Sequence, residues 1–312
     1  MKKITMKPDG TSLQESFDSF IMECQVRNLS AQTIGIYKTH YRIFMSFYAM
    51  DNMEGITEET INQFVLHLRN NTKCNDITVN SYLRSIRVFV NWLITKEAIK
   101  PFPFPIRKVD KPLKQTYTEA ELRVLLKKPA IKECNFTEYK TWVFSNFLLG
   151  TGMRITSAIN VKILEVDFDN MCISVNVAKG RKATLIPLSS SLAAVLQEYL
   201  RIRKGKLEEY LFCNSYGLKA DKRTYQEMLS TYNKRRGVQK TSAHLYRHTF
   251  AKNWILNGGD IFRLQKILMH FDISMVKEYV AMFSNDVAQD FDRFNPLDNL
   301  HMGEAKERIR MK

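Results

Sequence analysis

The sequence predicts a mainly α-helical protein of two domains, a four-helix N-terminal domain followed by an α-rich domain with a small β-hairpin or sheet. Three observations predict it. Apolar residues recur at three- and four-residue steps over residues 12–100, the run Pro101-Phe102-Pro103-Phe104-Pro105 interrupts that pattern, and a short alternating stretch lies inside the helical remainder. With 312 residues, 45% of them hydrophobic, the chain can fill two cores.

The first helix is marked by Leu13, Phe17, Phe20, Ile21 and Cys24, and Ser30 caps a second carrying Ile34, Tyr37, Tyr41, Phe44 and Phe47. Thr57 opens a third, with Glu58 and Glu59 in the first turn, where negative charge suits the helix dipole, and with Ile61, Phe64, Val65 and Leu68 facing inward. The fourth runs over about residues 78–94, with Tyr82, Leu83, Ile86, Phe89, Val90 and Leu93 as core candidates. Arg84 and Arg87 fall on another face, a solvated one or one that touches DNA phosphates.

Proline cannot donate to a helix or a sheet, so the proline run marks a domain boundary. Five basic residues and one acidic residue lie from Lys100 to Gln115, among them Lys108 and Lys111, and make a stiff positive connector suited to DNA or simply solvated. The expected organisation is an N-terminal tail (1–11), a helical domain (12–100), this linker (101–115), a second domain (116–300) and a charged tail (301–312). The second domain opens with Thr118-Glu119-Ala120-Glu121, a capping box. Residues 142–149 read as a buried helix stopping at Gly150-Thr151-Gly152. A hairpin follows, with Ile173, Val175 and Val177 outbound, a turn over 178–182 and residues 185–188 returning. The rest is mostly helical.

The 47 basic residues exceed the 32 acidic ones by 15, and a surplus of that size attracts polyanions, nucleic acid first. No apolar run approaches the roughly 18 residues that span a bilayer, and no signal-peptide core opens the chain, so the expectation is a soluble cytoplasmic protein with no membrane partner. Cysteines at 24, 74, 134, 172 and 213 are far apart and form no C-x-x-C pair, which argues against zinc or a disulfide framework and for small buried thiols. The sequence also lacks a P-loop, a G-x-S-x-G elbow, an H-E-x-x-H motif and an obvious carboxylate cluster. Phosphoryl chemistry here would therefore use no metal and no cofactor, and would rest on cationic side chains and an amino-acid nucleophile.

The second domain supplies such a set. Thr151-Gly152-Met153-Arg154-Ile155-Thr156 puts an arginine after a glycine turn, and His244-Leu245-Tyr246-Arg247-His248 sets a second arginine almost one helical turn after a histidine. Leu268-Met269-His270 precedes Tyr279 by nine residues, with Ser274 placed to cap a short helix between them, and Lys179 sits at the hairpin tip beside Arg181 and Lys182. This order and spacing resemble the tyrosine recombinase, or phage integrase, family over about residues 12–300, with motifs T-G-x-R-x-S, a hairpin lysine, H-x-x-R-H, L-G-H and a tyrosine nine residues on. Within this family the chain looks like an Xer-like or mobile-element integrase, but Ser157 stands where glutamate is usual, Tyr246 replaces the leucine of H-x-L-R-H, Met269 the glycine of L-G-H, and Ala281 a histidine that often follows the tyrosine, which suggests a divergent branch and assigns no particular subgroup.

The resemblance implies a core-binding domain followed by the DNA breaking-rejoining fold, and a site-specific recombinase that forms a 3′-phosphotyrosine without ATP or a nicotinamide cofactor. Carried over motif by motif, Arg154 and Arg247 clamp the scissile phosphate, Lys179 protonates the departing 5′ oxygen, His244 and His270 donate to the phosphate, and Tyr279 attacks. His244 is also placed to take the tyrosine proton, His248 supports the site, and Arg181 or Lys182 can stand in for Lys179. DNA contacts are expected from Arg84, Arg87, Lys108, Lys111, Arg181 and Lys182.

The implied partner is double-stranded DNA with inverted-repeat core sites, held by a homotetramer on two sites, with an accessory DNA-bending or directionality factor possible. Integration, excision or resolution of a mobile element is the implied event, in a bacterial or archaeal cytoplasm and at the nucleoid while acting. Residues 283–294 are expected to form a helix whose Phe291 and Phe294 anchor a neighbouring protomer or pack within their own subunit. Two other readings stay open on the sequence, a DNA-binding factor that does not cleave and a type IB topoisomerase.

Overall fold

The computed structural model describes residues 12–71, 74–104, 106, 109, 114–175, 184–214, 216–269, 277 and 279–280. It divides into two compact units, Met1–Pro112 and Leu113–Lys312.

In the first unit, α1 (Leu13–Val26) starts at a capping box in which Ser12 and Glu15 satisfy each other's backbone N–H groups. Ser30 caps α2 (Ala31–Tyr48), and α3 (Glu58–Asn71) has Glu58 and Glu59 in its first turn. The last helix, α4 (Asp76–Thr95), begins two residues before the expected start because the Asn75 side chain accepts from the Thr78 N–H, so the cap lies upstream of the apolar stripe. Phe17, Tyr41 and Phe89 form the aromatic centre, with Phe17 stacked on Tyr41 at 3.7 Å and edge-on to Phe89 at 5.2 Å. Phe102, Phe104 and Ile106 pack against this core. The proline-bearing stretch is thus more than a spacer, since its alternate apolar side chains fasten it to the first unit.

In the second unit, Thr118 and Glu121 form the capping box of α5 (Glu119–Leu125). The buried helix α6 (Phe136–Thr151) ends at Gly152, whose φ of 61° is left-handed. Glycine is required there twice over, because a Cβ would also come within 2.6 Å of the Phe250 ring and 2.9 Å of Leu268. A short α7 (Ile155–Ala158) follows directly.

The two expected hairpin strands are present as β2 (Cys172–Val175) and β3 (Thr184–Pro187), and β1 (Val166–Asp167) adds an edge strand to make a three-stranded antiparallel sheet in the order β1-β2-β3. Strand β1 has two residues and is too short to show alternation in sequence. Ile173 faces Val166 on one side and Ile186 on the other, all three of them buried. The expected turn, with Lys179, Arg181 and Lys182, lies outside the described residues, as do Lys108, Lys111, His270, the Ser274 cap and the 283–294 helix. The chain continues through α8 (Ser190–Arg203), α9 (Lys222–Arg235), α10 (Ala243–Leu256) and α11 (Ile261–Ile267).

α6 runs through the middle of this unit, and Phe144 and Phe147 meet Phe212 edge-on at 4.8 and 5.0 Å. Tyr246, where the family motif has leucine, is fully buried. Its hydroxyl lies 3.2 Å from Ser145 Oγ and 3.4 Å from Asn233 Oδ1, so the added polar atom has partners. Met269, in place of the motif's glycine, has a φ of 50° and carries a side chain in the left-handed region that glycine enters freely. The five cysteines, all among the described residues, form no disulfide; Cys24 and Cys213 are buried and the other three are half-buried rather than fully enclosed. Among the described residues no helix is long and apolar enough to cross a membrane, and no group of three or more His, Cys, Asp or Glu could hold a metal ion.

Candidate active site

Three pieces of the second unit build the site. The left-handed turn at Gly152 ends α6 and sets Arg154 at the N-cap of α7. The first turn and a half of α10 presents His244, Arg247 and His248, whose three- and four-residue spacing gathers them along one side of the helix. The end of α11 contributes the Leu268 carbonyl, and the helical residue Tyr279 returns to the same place.

Arg247 is 3% exposed and organises the centre. Its Nη1 donates to the Gly152 carbonyl and its Nη2 to the Leu268 carbonyl, both at 2.7 Å. Arg154 Nη1 donates to the same Leu268 oxygen at 3.5 Å, so two guanidinium groups meet at one carbonyl. Burial, and then the charge of Arg154, push Arg247 down to about 10, while the nearby Tyr279 hydroxyl acts the other way. Carbonyl dipoles fix the fork without cancelling its charge, and an arriving anion would relieve the repulsion between the two arginines.

Tyr279 is 2% exposed, its ring set among Ala251, Leu264 and Leu268. Its hydroxyl lies 2.7 Å from His248 Nδ1. Burial, and then the charges of Lys114, His244 and Arg247, push His248 down to about 4, so the imidazole is neutral at pH 7. A neutral imidazole with its proton on Nε2 accepts the phenol O–H through Nδ1. His244 is exposed, and its ring stacks near His248 at 6.4 Å. Its pKa is lowered by partial desolvation and then by Arg247, Lys222 and Arg154, an effect that solvent screens at so open a position.

Of the residues singled out in sequence, the structure brings Arg154, Arg247, His244, His248 and Tyr279 together. Arg84 and Arg87 are exposed on α4 in the first unit. Two features were missed. The Tyr279 hydroxyl is hydrogen-bonded to His248, expected only to support the site, whereas the sequence placed His244 to donate to the phosphate and to help take the tyrosine proton; the four-residue spacing put both histidines on one face without ranking them. Lys114 Nζ lies 4.3 Å from the centre of the Tyr279 ring. The charge count of the linker included this lysine, but no local signal set it apart from its neighbours.

A model of the phage integrase family matches residues 115–285, and one of the phage integrase N-terminal SAM-like domain matches residues 17–100. The tyrosine recombinase XerD of Staphylococcus aureus (strain Mu50) is 24% identical over 282 residues, spanning 86% of this chain and 94% of that protein. The XerD of Staphylococcus haemolyticus is 25% identical over the same length, with the same coverage. Among solved structures, the Tn1549 transposon integrase in complex with transposon right end DNA is similar with a TM-score of 0.74 at 19% identity, over 91% of this chain and 99% of that one. A lambda integrase dimer bound to a core site gives 0.69 at 15% identity, over 85% and 97%. At these identities the structural likeness speaks for the fold.

Proposed function

The chain belongs to the phage integrase family and is a site-specific tyrosine recombinase, and on that premise we propose that Tyr279 cleaves DNA by forming a 3′-phosphotyrosine within the site built on α7, α10 and α11. The observation that carries this reading is the convergence of a phenol, a histidine and two arginines that lie up to 125 residues apart (279 − 154).

In the proposed step the Tyr279 oxygen bonds to phosphorus while the bond to the 5′ oxygen breaks. His248 takes the phenol proton through Nδ1, and Lys179 returns a proton to the departing oxygen. Arg154 and Arg247 hold the non-bridging oxygens, where bidentate donors match the charge that builds in the transition state. His244 and His270 add hydrogen bonds. One phosphodiester is exchanged for a phosphotyrosyl ester, so resealing needs no external energy source. Because Tyr279 is 2% exposed, attack requires a rearrangement that uncovers the phenol.

DNA-bound relatives of the same fold support a duplex core site as substrate, which we take to be flanked by inverted repeats and held by a tetramer on two sites. Arg84, Arg87, Lys108, Lys111, Arg181 and Lys182 supply backbone contacts, and the assembly, with an accessory bending or directionality factor, moves a mobile element in or out of a chromosome. The organisation follows the same reading, with a core-binding domain (12–100), a basic linker (101–115) and a catalytic domain (116–300).

The test uses a duplex selected from a randomised pool by the Y279F variant and nicked near its centre to trap the intermediate. Wild-type protein should form a covalent adduct on it, and Y279F should bind it equally well and form none. An adduct that persists in Y279F would assign the nucleophile elsewhere.

A further inference from the structure

We infer that Lys114 is a positioning residue for the nucleophile: seated over the Tyr279 ring, it holds the phenol oxygen on His248. The inference rests on Tyr279 being the nucleophile. The ammonium nitrogen lies 4.3 Å from the ring centre, within the range where a cation is attracted to the negative face of an aromatic ring. The same ring carries the hydroxyl bonded to His248 at 2.7 Å.

The lysine is held in place by its neighbours in the chain. Three residues on, the Tyr117 N–H donates to Thr249 Oγ1 at 2.9 Å, and Thr249 follows His248 directly on α10. Tyr117 is itself 2% exposed, its ring 4.7 Å from that of Tyr246 and its hydroxyl donating to the Lys240 carbonyl at 3.2 Å. The segment bearing Lys114 is thereby fastened beside the histidine that receives the phenol.

The lysine also bears on the proton. Among the described residues, the charged groups that face His248 are Lys114 from the chain before α5, and His244 and Arg247 from its own helix, with the Tyr279 phenol bonded to its Nδ1. Of these charges Lys114 opposes protonation of His248 most strongly, which keeps Nδ1 open to accept. The cation thus favours the same hydrogen bond twice, by orienting the donor and by keeping the acceptor neutral.

Single-turnover adduct formation on the selected, nicked duplex, with DNA saturated by protein, tests this. K114M should slow it roughly tenfold at neutral pH, and should move the acid limb of the rate profile to higher pH as His248 becomes easier to protonate. K114R, which keeps a cation over the ring, should retain most of the rate and the wild-type limb. An unchanged or faster K114M with an unmoved acid limb overturns the proposal, as does a K114R that behaves like K114M. So does a K114M defect confined to DNA affinity and its salt dependence, because that is the signature of a plain phosphate contact. Failure of the underlying reading looks different: wild type then forms no adduct, or Y279F still does.

Discussion

In the first unit the buried set around α4 is aromatic and aliphatic, and Ser16, Asn80 and Ser85 are its buried polar residues among those described. The second unit also buries Lys140, Asn233 and Arg247. Lys140 donates to the Cys213 carbonyl at 2.6 Å, and Arg247 to the carbonyls of Gly152 and Leu268. Burying a cation costs free energy that apolar packing does not, and carbonyl dipoles return only part of it. Among the described residues the first unit thus buries no charged group, whereas the second holds Lys140 and Arg247 as buried cations at a cost in stability.

The sharpest test of this contrast exchanges the central cation. R247K keeps the charge but replaces a fork that bridges two carbonyls with a single donor, and adduct formation with DNA saturated should fall by roughly a thousandfold. A loss under tenfold would show that the guanidinium geometry does not matter. In the first unit, F44A removes a ring with 0% exposure and should destabilise by about 3–5 kcal/mol in denaturant titration, with the adduct rate unchanged at a temperature where the variant is folded. A selective loss of cleavage in folded F44A would erase the division of labour.

The pH dependence is intermediate in size. His248 titrates near 4 in the folded protein against an ordinary 6.5, so below pH 6.5 the unfolded chain binds a proton that the native site refuses. Stability from this residue is fully present above pH 6.5 and falls as pH drops toward 4, by roughly 2 kcal/mol once its partial exposure is allowed for. H248F, which cannot titrate, should show a correspondingly shallower acid slope than wild type in denaturant midpoints measured from pH 7 to pH 4.5; equal slopes would deny that the fold resists protonating this imidazole.

The smallest effect is expected at Met269. M269G relieves a left-handed backbone but loses a side chain packed against the core, and the two should nearly cancel, leaving stability within about 1 kcal/mol of wild type. A larger loss would mean that the methionine is held there for its packing.

Much of the molecule was legible from short-range signals. Ser12 with Glu15, Ser30, and Thr118 with Glu121 cap the helices they precede, and Gly152 ends α6 where its own sequence says a helix should stop. The expected pattern failed where an element was too short to have a period, as at β1, or where a cap sat upstream of the stripe, as at Asn75. The arginine and tyrosine motifs were legible because their spacing is local to each segment.

What the sequence determined by itself is the helical framework and the apolar faces, since helix periodicity and capping depend on residues within four or five positions of one another. Only the tertiary structure decided that the phenol bonds to His248 rather than to its neighbour a turn away, that Arg154 and Arg247 share the Leu268 carbonyl, and that Lys114 rather than another linker lysine covers the Tyr279 ring. Those contacts join residues 21 to 165 positions apart (268 − 247 and 279 − 114), and whether such pairs meet is set by how whole helices pack, which no local window contains.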